Sequence, residues 1–450
     1  MKHNPQKDVP VSEIEALFTS KTLWQTWLDI EAALAKTQAE LGIIPEEHAL
    51  VIEQHANFDS IDAAALETDI NRTRAPIVSL VKALADAAGP SSGAYVHWGA
   101  TTQNVMQTGR VLQMKKAHEA LKSRLGNIFM SLSRLARDEA ETLCAGRTNN
   151  RHALPITFGF KVAAWIEEFL RHEERLLSAE HRVFTASWGG AIGAMHAFGA
   201  QGPELNERFS KALGLNPVAV PSRAATDHIS EYILLLGLLG ATCSKIAREL
   251  YTLMSDEIAE VYEDLGDGVI GSSTMPQKVN SKIAVTCIAQ GARLRALLPL
   301  ALEAMQPSHE GDAANNQMLY SVMDQAPPLA YRMITAMDEL LDCLKLRPEQ
   351  MTKNLALSGQ FIVAENAMMH LAPMLGRTSA HDVVHHAVEV ALNQQKELAV
   401  VLMDVPEVSR VTSLDALMAV LSPENYTGES VSIARRMAAA AAEAAERLQS

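Results

Sequence analysis

Between Ile229 and Glu263 the apolar residues Ile233, Leu236, Leu239, Cys243, Ile246, Leu250 and Leu253 recur every three or four positions, and the first half of this stretch is apolar on nearly every side. A helix of that kind has no solvated face and must be buried on several sides at once. Similar helical patterns run from about residue 105 to 140, 156 to 182, 281 to 305 and 318 to 346. From Lys21 to Leu41, residues Leu23, Trp27, Ile30, Leu34 and Leu41 fall on one face, with Ser20 as N-cap and Gly42 and Pro45 beyond the end. No stretch pairs β alternation with a crossover helix, so the expected class is all-α, a bundle of long helices. Polar segments rich in turn formers interrupt the pattern at 89–109, 144–155, 187–221, 266–280 and 306–316. Three helical domains are expected: residues 1–110, a central bundle over 111–355, and 356–450, which ends in an Ala-rich terminal helix.

The 450 residues are 48% hydrophobic, enough for two or three domains with large cores. A formal net charge of −14 disfavours nonspecific attraction to nucleic acid or to an anionic membrane, so an anionic ligand would need a local basic patch. The four cysteines, Cys144, Cys243, Cys287 and Cys343, are scattered without a CxxC pair, which fits free thiols in a reducing, cytoplasmic compartment. The N-terminus lacks a signal-like apolar stretch, and the densest apolar run, Tyr232 to Ala241, is too short to span a bilayer. No HExxH, CxxC or Gly-rich phosphate motif points to a metal or nucleotide cofactor, and none is expected.

The segment from Gly271 to Asn280, GSSTMPQKVN, places two hydroxyls, a lysine and an amide on a Gly-rich connection after Gly266 and Gly268. Such a loop can close over a substrate and expel water, while Lys278 and Asn280 donate to oxygens that gain charge. A serine used as a base must be held as an alkoxide by surrounding donors and positive charge. An unspecified Gly-Ser-Ser would read as a solvated turn. The complete string, however, resembles the GSSxMPxKxN loop of the fumarase/aspartase superfamily. That resemblance implies Ser272 as the base that removes a proton beside a carboxylate, with Lys278 and Asn280 stabilising the aci-carboxylate intermediate. Ser273 and Met275 are then substrate-binding neighbours. It further implies an all-α homotetramer in which loops from three subunits share each active site.

The likeness extends along most of the chain. DIEAALAKTQAELGIIP (29–45) and VHWGATTQNVMQTG (96–109) resemble the branch of 3-carboxy-cis,cis-muconate cycloisomerase and adenylosuccinate lyase, and GRTNNRHALPITFG (146–159) is similar to the cycloisomerase segment. These matches carry His97, Thr101, Thr102, Gln103, Thr148, Asn149, Arg151 and His152 into the expected substrate site. The departures bear on the reaction. Where succinyl-purine lyases have the histidine that serves as general acid, this chain has Asn149, which delivers no proton at neutral pH. Arg151 stands where the branch has Gln, Arg223 where it has His, Thr226 and Val279 where it has Arg, and Ser308–Asp312 lacks another arginine. Arg72 and Arg74 add cations where relatives are small or polar. Singly, each arginine reads as surface charge; together they predict a re-specified anion pocket containing Arg151 and Arg223. The expected activity is addition or elimination on a small polycarboxylate, most like the cycloisomerase. A C–N lyase releasing fumarate is the alternative. A non-catalytic structural homologue is disfavoured by the joint presence of Ser272, Lys278 and Asn280.

Overall fold

The computed structural model describes residues 9–266, 268–269, 271–275 and 277–449. Its principal helices are α1 (Ser20–Glu40), α2 (Pro76–Gly93), α3 (Thr102–Asp138), α4 (Phe158–Val183), α5 (Asp227–Leu253), α6 (Ile283–Arg295), α7 (Ala313–Cys343), α8 (Ala364–Leu375), α9 (Arg377–Gln394) and α10 (Ser430–Gln449). The all-α expectation holds. Short strand pairs accompany the helices: β1 (Leu143–Thr148) with β2 (Arg151–Thr157), β3 (Thr185–Ala186) with β4 (Asn216–Pro217), and β5 (Val261–Glu263) with β6 (Leu344–Leu346).

Helices α3, α5 and α7 run the same way. Gln103 bonds Asn316, Arg110 pairs with Asp324 and Arg124 with Asp338, so α3 and α7 lie parallel in one register. With 37 residues, α3 is about 55 Å long at 1.5 Å per residue. Everything attached to its start is therefore remote from everything attached to its end. At the first end lie His97, Thr101 and Gln103, Arg223 just before α5, and Asn316 in the first turn of α7. At the other lie the β1–β2 hairpin, the β5–β6 pair and the two roots of the 264–280 loop.

Several boundaries differ from those expected. The helix beginning near Ile229 stops at Leu253. Ala259 has a φ of 51° and Val261–Glu263 is a strand, so the stretch past Leu253 is not helical. Segment 144–155 is a hairpin rather than an irregular loop. Its tip residues Asn149 and Asn150 have φ of 50° and 59°, the pair of left-handed conformations that a two-residue turn requires and asparagine tolerates. The 187–221 segment contains a helix, Gly202–Ala212. Thr19 rather than Ser20 occupies the cap position of α1.

Two apolar clusters organise the chain. The larger includes the long helices and also Ala438, Ala441, Ala444 and Ala445 of α10; the smaller joins Leu355 through Leu421 to Ala145 of the hairpin. The last helix thus returns to the central bundle, where small side chains permit close approach and Ser133 Oγ donates to the Ala438 carbonyl at 2.7 Å. A cut at residue 110 would fall inside α3. Segment Ile283–Glu303 is apolar enough to meet a membrane-span criterion by length and composition, yet only 22% of its most apolar window is buried within the chain. In α5, which meets the same criterion, that share is 67%.

Candidate active site

In the 271–280 loop, the Met275 N–H donates to Ser272 Oγ at 3.1 Å, and the Thr274 N–H does so more weakly at 3.4 Å. Backbone donors converging on one oxygen stabilise its negative form, which is what a serine base needs. Ser273 is exposed, and among the described residues no such donors converge on it. The turn closes through Lys278 N–H to the Met275 carbonyl at 3.0 Å and Asn280 Nδ2 to the Gly271 carbonyl at 3.4 Å. A Cβ at 271 would collide with the Lys278 carbonyl, so this closure needs glycine there. Met275, Lys278 and Asn280 present exposed side chains.

At the far end of α3, His97 has a φ of 61° and its Nδ1 lies 2.6 Å from Oε1 of Glu31, whose side chain is only 2% exposed. Burial alone would lower the His97 pKa, but the hydrogen bond and charge of Glu31 outweigh it and the net shift is upward. Among the described residues its Nε2 meets no hydrogen-bond partner. Thr101 occupies the N-cap of α3, its N–H bonded to Asn104 Oδ1 at 3.2 Å, and Thr102 opens the helix, whose positive end favours anions. Buried Gln103 accepts from Arg223 Nε at 2.8 Å and from Asn316 Nδ2 at 3.1 Å, and donates to the Arg223 carbonyl at 3.0 Å. The Arg223 guanidinium also reaches the Ala191 carbonyl and lies against Gly311, so its partners among the described residues are all neutral.

The hairpin carries Thr148, Asn149 and Arg151 exposed at its tip. His152 Nδ1 meets Ser358 Oγ at 2.8 Å, and burial together with the Arg147 charge holds this imidazole below the ordinary histidine range, hence neutral at pH 7. Asn149, His152, Lys161 and Glu249 line a cavity of about 680 Å³ beside the hairpin. Arg147 forms a bidentate pair with Glu260 at 2.5 and 3.1 Å, and Asn354 Nδ2 donates to the same carboxylate at 2.8 Å. This largely buried pair ties the hairpin to the strand that leads into the Ser272 loop. Arg72 is matched to Asp69, and Arg74 is an exposed helix cap, so neither faces these groups.

The structure therefore gathers the predicted residues into two sets toward opposite ends of the long helices. Ser272, Lys278, Asn280 and the hairpin belong to one end; His97, Thr101, Thr102, Gln103 and Arg223 belong to the other. Glu31, Arg147, Glu260 and Asn316 were not singled out in the sequence, where the acids look like ordinary helix or surface charge. A readable hint existed for Glu31 alone: it falls on the apolar face of α1, one residue after Ile30 and three before Leu34.

The His97–Glu31 pair makes a signed pH prediction. A histidine whose folded pKa is raised adds stability that is fully present below the unfolded value near 6.5 and is lost as pH climbs through the folded pKa. The difference in Tm between wild type and Glu31→Gln is expected to be widest near about pH 6 and to narrow toward about pH 9. Thermal unfolding across that range checks it; a gap independent of pH would show that Glu31 does not hold His97 charged.

A lyase family model matches residues 6–289, and one for the adenylosuccinate lyase C-terminus matches residues 360–437. N-acetyl-S-(2-succino)cysteine lyase from Dickeya dadantii is 32% identical over 416 residues, covering 92% of this chain and 91% of its own. The 3-carboxy-cis,cis-muconate cycloisomerase of Acinetobacter baylyi is 32% identical over 424 residues, with 92% and 93% covered. A fumarate lyase structure from Mesorhizobium sp. BNC1 superposes with a TM-score of 0.88 at 30% identity, spanning 98% of this chain and 99% of that one. The chain belongs to the fumarase/aspartase superfamily, within the branch of muconate cycloisomerases and adenylosuccinate lyases.

Proposed function

We propose that the protein catalyses reversible anti addition or elimination on a small polycarboxylate through an aci-carboxylate intermediate, with Ser272 as base and Lys278 and Asn280 stabilising the added charge. The observation that carries this reading is the convergence of two backbone N–H groups on Ser272 Oγ. Asn149 narrows the leaving group. An amine must be protonated to depart, whereas a carboxylate or a thiolate leaves as a stable anion. That favours cycloisomerase-like chemistry, in which a carboxylate adds or leaves, over release of an amine. Elimination of a thiolate from an S-substituted succinate is the second reading, supported by the relative named for N-acetyl-S-(2-succino)cysteine.

The two motif sets meet only if different subunits supply them, which supports a homotetramer with shared sites. The apolar, weakly buried segment Ile283–Glu303 supplies a face for such an assembly. Four free thiols, three of them buried, suit a cytoplasmic setting. Arg223, with neutral partners only, and Arg151, exposed without an ion-pair partner among the described residues, are the cations for substrate carboxylates. Arg223→Met and Arg151→Met are each expected to lower kcat/KM about tenfold to a hundredfold, the size of one lost charge-assisted hydrogen bond. Unchanged steady-state kinetics in both would return them to surface charge.

The deciding experiment incubates the purified protein with carboxymuconate, S-substituted succinates, N-substituted aspartates, and fumarate plus amines, following ultraviolet absorbance, with light scattering on the same sample. Turnover of carboxymuconate or an S-succino compound by a tetramer is expected. Turnover of the aspartates alone would overturn the leaving-group argument, and a fully active monomer would overturn the shared site.

A further inference from the structure

The described residues of the Ser272 loop are largely exposed and make few hydrogen bonds among themselves, yet a base and its cation must be held to a fraction of an ångström. Its two roots reveal how. Glu263, the last residue of β5, is 9% exposed and its carboxylate accepts four hydrogen bonds from the far side of the loop. Ser281 Oγ donates to Oε1 at 2.7 Å and the Ala284 N–H to the same oxygen at 2.9 Å; the N–H groups of Lys282 and Ile283 donate to Oε2 at 2.7 and 3.2 Å. The Ile283 and Ala284 amides open α6 and Lys282 is its N-cap residue, which makes no side-chain cap of its own, so Glu263 serves the start of this helix. Glu263 is itself fixed by strand pairing with Leu344, and the next residue, Asp264, donates its N–H to the Cys343 carbonyl at 2.9 Å.

We propose that Glu263 is a positioning residue for the reaction: by joining the strand that enters the Ser272 loop to the helix that leaves it, its carboxylate sets Lys278 and Asn280 against Ser272. This rests on Ser272 acting as the base. The geometry explains why one carboxylate suffices. Asn280 is one residue from Ser281, so whatever fixes Ser281–Ala284 also fixes the exit of the loop. The entrance is fixed through Glu263 itself, and the close passage of Gly271 against the Lys278 carbonyl transmits the spacing to the serine. A glutamine keeps the shape but turns an NH₂ toward groups that are all donors, so at least one contact becomes repulsive.

A plain helix cap would affect stability without reference to Ser272; a positioning residue acts through it. In Glu263→Gln, kcat is expected to fall on the order of a hundredfold, the size of a misplacement of about 1 Å, with a smaller change in KM. Hydrogen exchange over residues 264–284 should rise while the other helices stay protected. In a Ser272→Ala background the same substitution should cost little further activity, because the group being positioned is gone. Unchanged exchange in that segment, or an equal loss of activity in both backgrounds, would overturn the proposal. Should Glu263→Gln fail to fold, Ser281→Ala removes one of the four donors and leaves the three backbone ones. It should show the same exchange signature with a several-fold loss in kcat, and wild-type behaviour in both respects would likewise overturn it. The exchange measurement needs no substrate. If the wild type turns over nothing in the panel while exchange still rises in Glu263→Gln, the functional reading fails and the clamp stands.

Discussion

Ser272→Ala is expected to lower kcat by roughly a hundredfold to ten-thousandfold, the usual contribution of a positioned general base, while folding, assembly and substrate binding persist. The loss should fall on kcat because proton abstraction is a task of the transition state. Ser273→Ala is the control. The neighbouring serine is exposed, and among the described residues no N–H donors converge on it as those of Met275 and Thr274 do on Ser272 Oγ. Near-native kcat in Ser272→Ala with an inactive Ser273→Ala would identify the other serine as the base, and full activity in both would remove the mechanism altogether. Steady-state kinetics on whichever substrate the panel yields decides between these outcomes.

The second large effect is expected from Lys278→Ala. An aci-carboxylate carries two negative charges on one carboxylate group, so a fixed cation beside it resembles an oxyanion donor and is worth about 3 kcal/mol of transition-state stabilisation. Its removal should again lower kcat more than it raises KM. The two losses should not add: once Ser272 cannot take the proton, little charge develops for the lysine to stabilise, and the double variant should be scarcely worse than the poorer single one. Additive losses would mean that Lys278 acts on the bound ground state. Its substitution should leave the turn standing, because the turn is closed by the backbone of Lys278 and the Asn280 amide rather than by the ammonium.

What could be read from residues in order was whatever repeats locally. The three-to-four spacing of Ile233 through Leu253 specifies a buried helix, because helical neighbours are three and four positions apart and the apolar set names its own face. The GSSTMPQKVN string points to Ser272 rather than Ser273 through its resemblance to the family's loop, which places the base six residues before the lysine. The paired positive φ of Asn149 and Asn150 was also local, yet the hairpin was missed because its strands lack clean alternation.

The rest was decided by tertiary structure. His97 finds its carboxylate 66 residues earlier in Glu31, and Arg147 finds Glu260 113 residues later. Hydrogen bonds of this kind leave no period behind, and even Glu31, which falls on the apolar face of its helix, does not name its partner in the sequence. The parallel register of α3 and α7, and with it the separation of the two motif sets, depends on which helix faces packed together. The sequence by itself determined a bundle of long helices and the family, and singled out the serine to be tested. Only the folded chain decided that Glu263 closes the loop from both roots and that one subunit holds the two motif sets apart, because both follow from contacts between segments that no local pattern links.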